Sequence, residues 1–250
     1  MPDAPRPDPT RIASLGLWSA PRSMSTAFFR MMAERDEFRL SHEPFSELAA
    51  GRPAKIDDES YSGAGPYIHA LVTGDRPAFF KDTTEYRHAA LFDRHPELYR
   101  VQHTFIIRDP RRVIDSHHAM NPAVTRDEIG FEHLVEVFRL VQEHTGTSPV
   151  VIDADDLVTD PAGVVAAYCR RLGLAERPET LSWRPENRTE WGATAQWHRD
   201  AAASGQFQAS ERVYPVTTEN DERLAGYLAH HLPFYHYLRE FSLTGTGNSR

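Results

Sequence analysis

The sequence predicts an α/β fold, a single parallel β-sheet flanked by helices. Two observations lead to this prediction: short apolar runs alternate with amphipathic helical patterns along the chain, and charged or polar residues follow several of the apolar runs. The carboxyl ends of parallel strands meet at one edge of a sheet, where such folds bind their ligands. We therefore expect the residues at these strand ends to form a site.

The stretch 15–30 reads as an apolar strand, a short polar turn containing Pro21, and a helix that Ser23 or Ser25 can cap. A helix that begins at such a turn directs unpaired backbone N–H groups, and the positive end of its dipole, into the bend. With the Arg22 guanidinium, the turn is a predicted site for an anion with several oxygens. The alternative is a helix cap without a ligand. The nucleotide pattern G-x-x-x-x-G-K-[ST] is absent, since Arg22 stands where its Lys would be.

Later strands also end in charged residues. A strand from residue 38 ends at His42 and Glu43, one from residue 78 ends at Lys81 and Asp82, and one over 101–107 ends at Arg108. A fifth strand covers 149–152, residues 50–66 read as a long surface loop, and 176–208 as a polar segment with three tryptophans. Further helices are predicted over residues 67–72, 87–92, 110–118, 126–144, 160–172 and 220–231, the last one broken at Pro233.

Composition and charge limit the kinds of partner and the cellular compartment that we expect for the protein. The chain has 250 residues and a formal net charge of -8, so we expect no nucleic-acid partner and no membrane surface, and a local group of arginines for any bound anion. No signal peptide and no run of about 18 apolar residues occurs, which predicts a cytoplasmic protein. The single cysteine, Cys169, is expected to be a buried thiol. The sequence indicates no particular oligomeric state.

The length fits one domain, which we predict to cover residues 11–243. Residues 1–10 contain four prolines and are predicted to be a disordered arm, and residues 244–250 a flexible tail. The pairs His117-His118 and His230-His231 have no partners at metal-ligand spacing, so we expect them at the surface or behind the site and predict no metal centre.

Two segments together resemble a known family. Residues 18–30, WSAPRSMSTAFFR, resemble the 5′-phosphosulfate loop of sulfotransferases that use 3′-phosphoadenosine 5′-phosphosulfate (PAPS). Residues 108–116, RDPRRVIDS, resemble the 3′-phosphate motif of that family, in which an Arg closes a strand and a Ser follows on the next helix. Residues 150–174 resemble the late strand and helix of many bacterial members. The resemblance covers about residues 12–175 and implies the P-loop-like, three-layer sulfotransferase fold.

The resemblance also implies which residues bind PAPS and its product 3′,5′-ADP. Those expected at the 5′-phosphosulfate or the 3′-phosphate are Arg22, Ser23, Met24, Ser25, Thr26, Arg108 and Ser116. Met24 departs from the Gly that is common at that point of the loop. The alternative for Arg108 is a salt bridge to Asp109 or Asp115 at the start of the next helix. The Arg-Lys-Gly pattern that usually adds 3′-phosphate contacts is not recognisable, and Arg188 or Arg199 could replace it.

A small-molecule acceptor, whether an alcohol, a phenol or an amine, must lose a proton as it attacks sulfur. Glu43 is the first candidate base, because HEPF at 42–45 is similar to the segment that carries a Glu base in the carbohydrate branch of the family. His42 is the alternative, since adjacent strand residues face opposite sides, and Asp82 is the third candidate.

Two cations complete the catalytic set that the sequence suggests. Lys81 could contact the sulfuryl or bridging oxygen or orient Glu43, and Arg22 could fill the role of a Lys in relatives. The functions left open are an ATP-dependent kinase with a P-loop and a non-catalytic nucleotide-binding protein of the same fold. The acceptor itself is not encoded in any motif that we recognise.

Overall fold

The computed structural model describes residues 13–186, 197, 199–209 and 212–243. The predicted arm 1–10 and the predicted tail 244–250 lie outside these residues. The strands of the described part are β1 (Leu15–Ser19), β2 (Arg39–His42), β3 (Ala54–Ile56), β4 (Glu59–Tyr61), β5 (Ala78–Thr83), β6 (Gln102–Ile107) and β7 (Val150–Asp153). Five of them form one parallel sheet in the order β2-β5-β1-β6-β7, which confirms the predicted fold class.

The helices occupy most of the remaining described chain. They are α1 (Ser25–Ala33), α2 (Pro44–Ala49), α3 (Ala64–Thr73), α4 (Ala89–Arg94), α5 (Pro110–Met120), α6 (Phe131–Thr145), α7 (Ala154–Thr159), α8 (Pro161–Leu172), α9 (Arg199–Ala203) and α10 (Glu222–Arg239). Short 3-10 helices cover Pro96–Arg100, Asp127–Ile129 and Pro178–Leu181. The predicted helices over 110–118 and 160–172 are confirmed almost residue for residue.

Helices cover both faces of the sheet, because side chains that alternate along each strand enter two separate apolar cores. In β5, Phe79 packs with α1 and α8 residues on one face, while Phe80 packs with α3 and α6 residues on the other. Leu17 and Trp18 divide β1 in the same way. The strands are therefore buried on both sides, as parallel sheets are. Cys169 is buried in α8, as predicted.

The predicted loop over 50–66 contains a β-hairpin, so that prediction was wrong. Strands β3 and β4 pair antiparallel across a turn at Asp57, which takes a left-handed conformation with φ of 50°. The Asp57 N–H donates to the Leu40 carbonyl (2.8 Å), and its carboxylate accepts from the Leu40 N–H (2.8 Å). The strands are only three residues long and the turn lacks Asn-Gly or Asp-Gly, so the sequence carries little hairpin signal.

The predicted break at Pro233 was also wrong, since α10 continues through this residue to Arg239. Proline removes one backbone donor, a loss that packing can offset when both sides of the helix are anchored. Leu224 before Pro233 and Leu238 after it are fully buried. Tyr235 donates its hydroxyl to Asp153 at the end of β7 (2.9 Å), which holds the second half of the helix on the sheet.

Candidate active site

A cavity of about 560 Å³ opens at the carboxyl ends of the parallel strands. The chain leaves β1 toward β2 and β5 on one side and later returns to β6 and β7 on the other, so a crevice forms beside the end of β1. The turns after β1, β2, β5 and β6 all reach this cavity. Of the polar residues that the sequence placed at strand ends, Glu43, Lys81 and Arg108 therefore meet in one place.

The loop between β1 and α1 has an unusual backbone. Arg22 and Met24 both take the left-handed conformation, with φ of 64° and 65°. This costs a residue other than glycine about 1–2 kcal/mol. Met24 thus adopts the conformation that would suit the expected Gly. Strain of this kind concentrates at ligand-binding sites.

The predicted serine cap of α1 is not present. Met24 is the N-cap residue and makes no side-chain cap, while the Ser25 hydroxyl accepts a hydrogen bond from Ser19 (2.9 Å). The Ser23 hydroxyl is buried and has no hydrogen-bond partner in the part of the chain that the structure describes. The loop and the first turn of α1 line the cavity. This loop can therefore donate to an anion with several oxygens.

The corner between β6 and α5 meets this loop directly. The Arg108 guanidinium donates through Nη1 to the Arg22 carbonyl (3.1 Å), and Arg22 donates through Nε to the Ser116 hydroxyl (3.0 Å) and through Nη1 to the Trp197 carbonyl (2.5 Å). The two motifs, separated by more than 80 residues in sequence, thus contribute to one wall. We call Arg22, Ser23 and Arg108 the arginine end of the cavity.

The alternative partners of Arg108 are engaged elsewhere. Asp109 caps α5 by accepting from the Arg111 N–H (2.8 Å), and Asp115 accepts from the Thr218 N–H (2.7 Å). Among the described residues, Arg108 has no salt bridge, and its buried Nε has no hydrogen-bond partner. Burial, with the nearby charge of Arg112, lowers the pKa of Arg108 below its usual range. A bound anion would compensate this buried charge.

Another part of the cavity wall holds an ion pair. Glu43 follows β2 in a left-handed conformation with φ of 51°. Its backbone N–H donates a hydrogen bond to the Lys81 carbonyl (2.6 Å). Lys81 on β5 donates through Nζ to the Glu43 carboxylate. Glu43 is 9% exposed and Lys81 1%, and both line the cavity. With Glu85, described below, they form what we call the carboxylate end.

His42 and Asp82, the other candidate bases, do not line the cavity. The His42 ring packs edge-on against Phe29 on the other face of the sheet, at 5.2 Å between ring centres. Asp82 accepts hydrogen bonds from the Phe45 N–H (2.6 Å) and the Ser46 hydroxyl (2.5 Å), which fixes the start of α2. Burial raises the pKa of Asp82 to about 7. The geometry therefore favours Glu43 over both alternatives.

Glu85 and His117 are among the cavity residues that the sequence did not assign to the site. Glu85 lies two residues beyond β5, and burial, followed by the charges of Glu128 and Glu43, raises its pKa to about 7. His117 on α5 is 1% exposed rather than at the surface, and its Nε2 lies 3.9 Å from Glu85 Oε1. Burial and then the Arg22 charge lower the pKa of His117 to about 4. The charge just after a strand could have marked Glu85, whereas nothing local marks His117.

The segment after 176 supplies further cavity residues. Trp183 is buried in the core against Phe207, while Trp197 lines the cavity with its ring edge-on to His117. Trp191, Arg188 and the side chain of Arg199 lie outside the described part. Arg212 lines the cavity and was not anticipated.

A family model described as a sulfotransferase domain matches residues 13–241 of the chain. The chain belongs to the sulfotransferase family. The matched range includes both corners of the arginine end and the whole carboxylate end. It therefore confirms the family that the two sequence motifs indicated.

Two curated relatives from Arabidopsis thaliana are named branched-chain-amino-acid aminotransferase-like proteins 1 and 2. They are 28% and 27% identical to the chain over 89% and 80% of its length. The chain spans only about two fifths of these relatives, 41% and 37% of their lengths. Their names therefore describe longer proteins than the matched segment.

A solved structure, the sulfotransferase domain of the Synechococcus PCC 7002 olefin synthase, shares the fold. It is 14% identical, the match covers 92% of this chain and 98% of that one, and the TM-score is 0.53. This neighbour agrees with the parallel sheet flanked by helices. None of the helices described for the chain has the length and apolar character needed to span a membrane.

Proposed function

We propose that the protein transfers a sulfuryl group from PAPS to a hydroxyl or amine of a small-molecule acceptor. The observation that carries this proposal is the junction of the two corners, in which Arg108 bonds to the Arg22 carbonyl and Arg22 bonds to Ser116. A nucleotide with anionic groups at both the 5′ and the 3′ position needs two such corners side by side. An ordinary nucleoside triphosphate needs only the first.

The residues at the arginine end fit this nucleotide. The loop amides and hydroxyls from Ser23 to Thr26, with Arg22, would hold the 5′-phosphosulfate at the first turn of α1. Arg108 and Ser116 would hold the 3′-phosphate, since a guanidinium presents a planar fork of donors. The buried Ser23 Oγ and Arg108 Nε, which lack partners within the described residues, would gain acceptors from the bound phosphates.

Sulfuryl transfer resembles phosphoryl transfer, in which catalysis is largely alignment and stabilisation of charge. The acceptor oxygen or nitrogen forms a bond to sulfur, and the bond from sulfur to the bridging oxygen breaks. The electron pair stays on the 5′-phosphate of the departing 3′,5′-ADP. Arg22 lies at the loop that would hold this phosphate, so its guanidinium can stabilise the charge that develops on the bridging oxygen.

Glu43 would accept the proton that the acceptor loses. It lines the cavity, and its ion pair with Lys81 holds the carboxylate in one orientation at the end of β2. A positioned base contributes about 10²- to 10⁴-fold to the rate. Lys81 would act as a positioning residue in this scheme, and its place in the cavity wall supports a second role as a contact of the transferred group.

The test is production of sulfated product from PAPS with a panel of alcohols, phenols and amines. We expect turnover with at least one class, a loss of about 10²- to 10⁴-fold in kcat for Glu43→Gln, and unchanged turnover for Glu97→Gln. Glu97 is an exposed residue far from the cavity wall, so this variant is the matched charge control.

Ligand-induced thermal shifts separate the proposal from its alternatives. Stabilisation by 3′,5′-ADP and not by Mg-ATP supports it, whereas the reverse result favours a kinase. Stabilisation by 3′,5′-ADP without turnover on any acceptor would favour a non-catalytic nucleotide-binding protein.

A further inference from the structure

The carboxylates of the cavity wall differ in their partners. Glu43 is paired with Lys81, and Glu47 is paired through two hydrogen bonds with Arg52 (2.5 and 3.0 Å). Glu85 has no Lys or Arg within 4.0 Å among the residues the structure describes, and His117 is its nearest basic group. Glu85 is therefore a partly buried carboxylate that has no paired Lys or Arg within the described part of the chain.

His117 adds a second acceptor beside Glu85. Its ring is buried, lines the cavity, and its Nδ1 has no hydrogen-bond partner within the described ranges. The lowered pKa keeps the ring neutral near pH 7, and a neutral imidazole has one N–H and one lone pair. Nε2 faces the Glu85 carboxylate, which leaves Nδ1 to accept from a ligand.

We propose that Glu85 and His117 bind a protonated amine on the acceptor. An ammonium group has one positive charge and three N–H donors, which match the Glu85 carboxylate and the His117 Nδ1 lone pair, neither of which accepts a hydrogen bond from a residue that the structure describes. A neutral or anionic group would leave the carboxylate uncompensated. This inference rests on the proposed function, because it identifies the bound amine as part of the acceptor. Binding of the amine to Glu85 and His117 does not itself require turnover.

The charges around Glu85 place this amine relative to the reaction. The groups whose charges act on Glu85 are Glu128, Glu43 and Lys81, with His117 in contact. Glu43 is the proposed base, so the amine and the group that loses its proton belong to one molecule bound at the carboxylate end. The acceptor class that fits is an amino alcohol or an aminoalkyl phenol in which the ammonium is separate from the sulfated oxygen.

The experiment compares tyramine with 4-ethylphenol, which differ by the ammonium group, by calorimetric titration at pH 7. Each probe is titrated into the nucleotide-free protein and into the protein saturated with 3′,5′-ADP. We expect tyramine to bind at least about tenfold more tightly in both. Since a bound cation lowers the raised pKa of Glu85, tyramine should also release up to about half a proton, seen as a dependence of the heat on buffer ionisation enthalpy.

Variants of Glu85 and Glu47 identify which residue causes the difference in affinity between the two probes. Glu85→Gln should remove both the preference and the proton release, Glu85→Asp should retain part of the preference, and Glu47→Gln should leave it unchanged because Glu47 already has Arg52 as its partner. Circular dichroism shows whether each variant is folded.

Equal affinities for the two probes, tighter binding of 4-ethylphenol, or a preference that persists in Glu85→Gln would overturn the inference. Failure of 3′,5′-ADP to bind would instead count against the proposed function, because the titrations without nucleotide read the amine site separately.

Discussion

The arginine end and the carboxylate end of the cavity differ in how their buried polar and charged groups are paired. At the arginine end, Arg108 and Ser23 keep polar atoms without partners in the described chain. At the carboxylate end, Glu43 and Lys81 neutralise one another within the protein. Buried polar groups are normally paired, so an end that is left incomplete indicates a ligand that completes it. This difference is what the proposed function requires, with a polyanion at the arginine end and a positioned base at the carboxylate end.

Glu85 is the exception at the carboxylate end. Its position in the wall resembles that of Glu43, but its nearest basic contact is a histidine whose pKa lies well below 7. Within this end, Glu43 has a lysine partner and Glu85 has none among the described residues, and we propose the role of base for the first and of cation binding for the second.

Removing Lys81 should have the largest effect on stability. Lys81→Met leaves the Glu43 carboxylate buried without its countercharge, and breaking one side of a buried pair typically costs about 3–5 kcal/mol. The double variant Lys81→Met/Glu43→Leu should recover most of this loss, since an apolar pair replaces the ionic one. Urea unfolding of the wild type and of the two variants measures both changes in the free energy of unfolding. A loss below about 1 kcal/mol in the single variant would mean that the pair is effectively solvated.

Arg108→Met should lower the affinity for 3′,5′-ADP by roughly 10- to 100-fold, as expected for charge-assisted hydrogen bonds worth about 1.5–3 kcal/mol. The affinity for 5′-AMP should change little, because it has no 3′-phosphate. Arg112→Met is the matched control, since Arg112 is exposed and paired with Asp155. A similar loss for both nucleotides would move Arg108 to the 5′ side of the site.

Glu85→Gln should raise thermal stability above pH 7. Burial raises the folded-state pKa of Glu85 to about 7, above the value of about 4.3 expected in the unfolded chain, so the folded protein binds more protons between these values. Wild-type stability relative to the variant is therefore lost as pH rises through this window and stays low above it. Melting temperatures at pH 4.5, 6 and 8 test the sign, and a gap that closes with rising pH would contradict it.

The strained loop gives the smallest effect. Met24 is left-handed, so Met24→Ala should destabilise the protein, whereas Met24→Gly should remain within about 1 kcal/mol of the wild type. Ala and Gly both remove the Met side chain, so the difference between them reports mainly the backbone. If the Met24→Ala variant were as stable as the Met24→Gly variant, the left-handed conformation of the loop would not exist in solution.

Local sequence was sufficient for one part of the site and insufficient for the other. Arg22, Glu43, Lys81 and Arg108 each follow an apolar run, and the geometry of a parallel sheet brings such residues together. His117 reaches the cavity only because α5 turns its last-turn side chain toward the loop after β5, a tertiary relation with no sequence signal. Arg212 depends on the path of the chain after 186 in the same way.

The errors in the fold have the same origin. The short hairpin at Asp57 is held by its two bonds to Leu40, and α10 passes Pro233 because Tyr235 is fixed to Asp153. Both depend on partners that are distant in sequence. Turn and helix rules based on local sequence take account only of Asp57 and Pro233 themselves, so they do not predict these distant contacts.

A crystal structure of the protein with 3′,5′-ADP tests directly whether the corners at Arg22 and Arg108 bind one nucleotide. We predict that the 5′-phosphate lies on the amides of residues 23–26 and that the 3′-phosphate lies on Arg108 and Ser116 of the same cavity. A nucleotide bound elsewhere, or with its 3′-phosphate in contact with neither residue, would contradict the account.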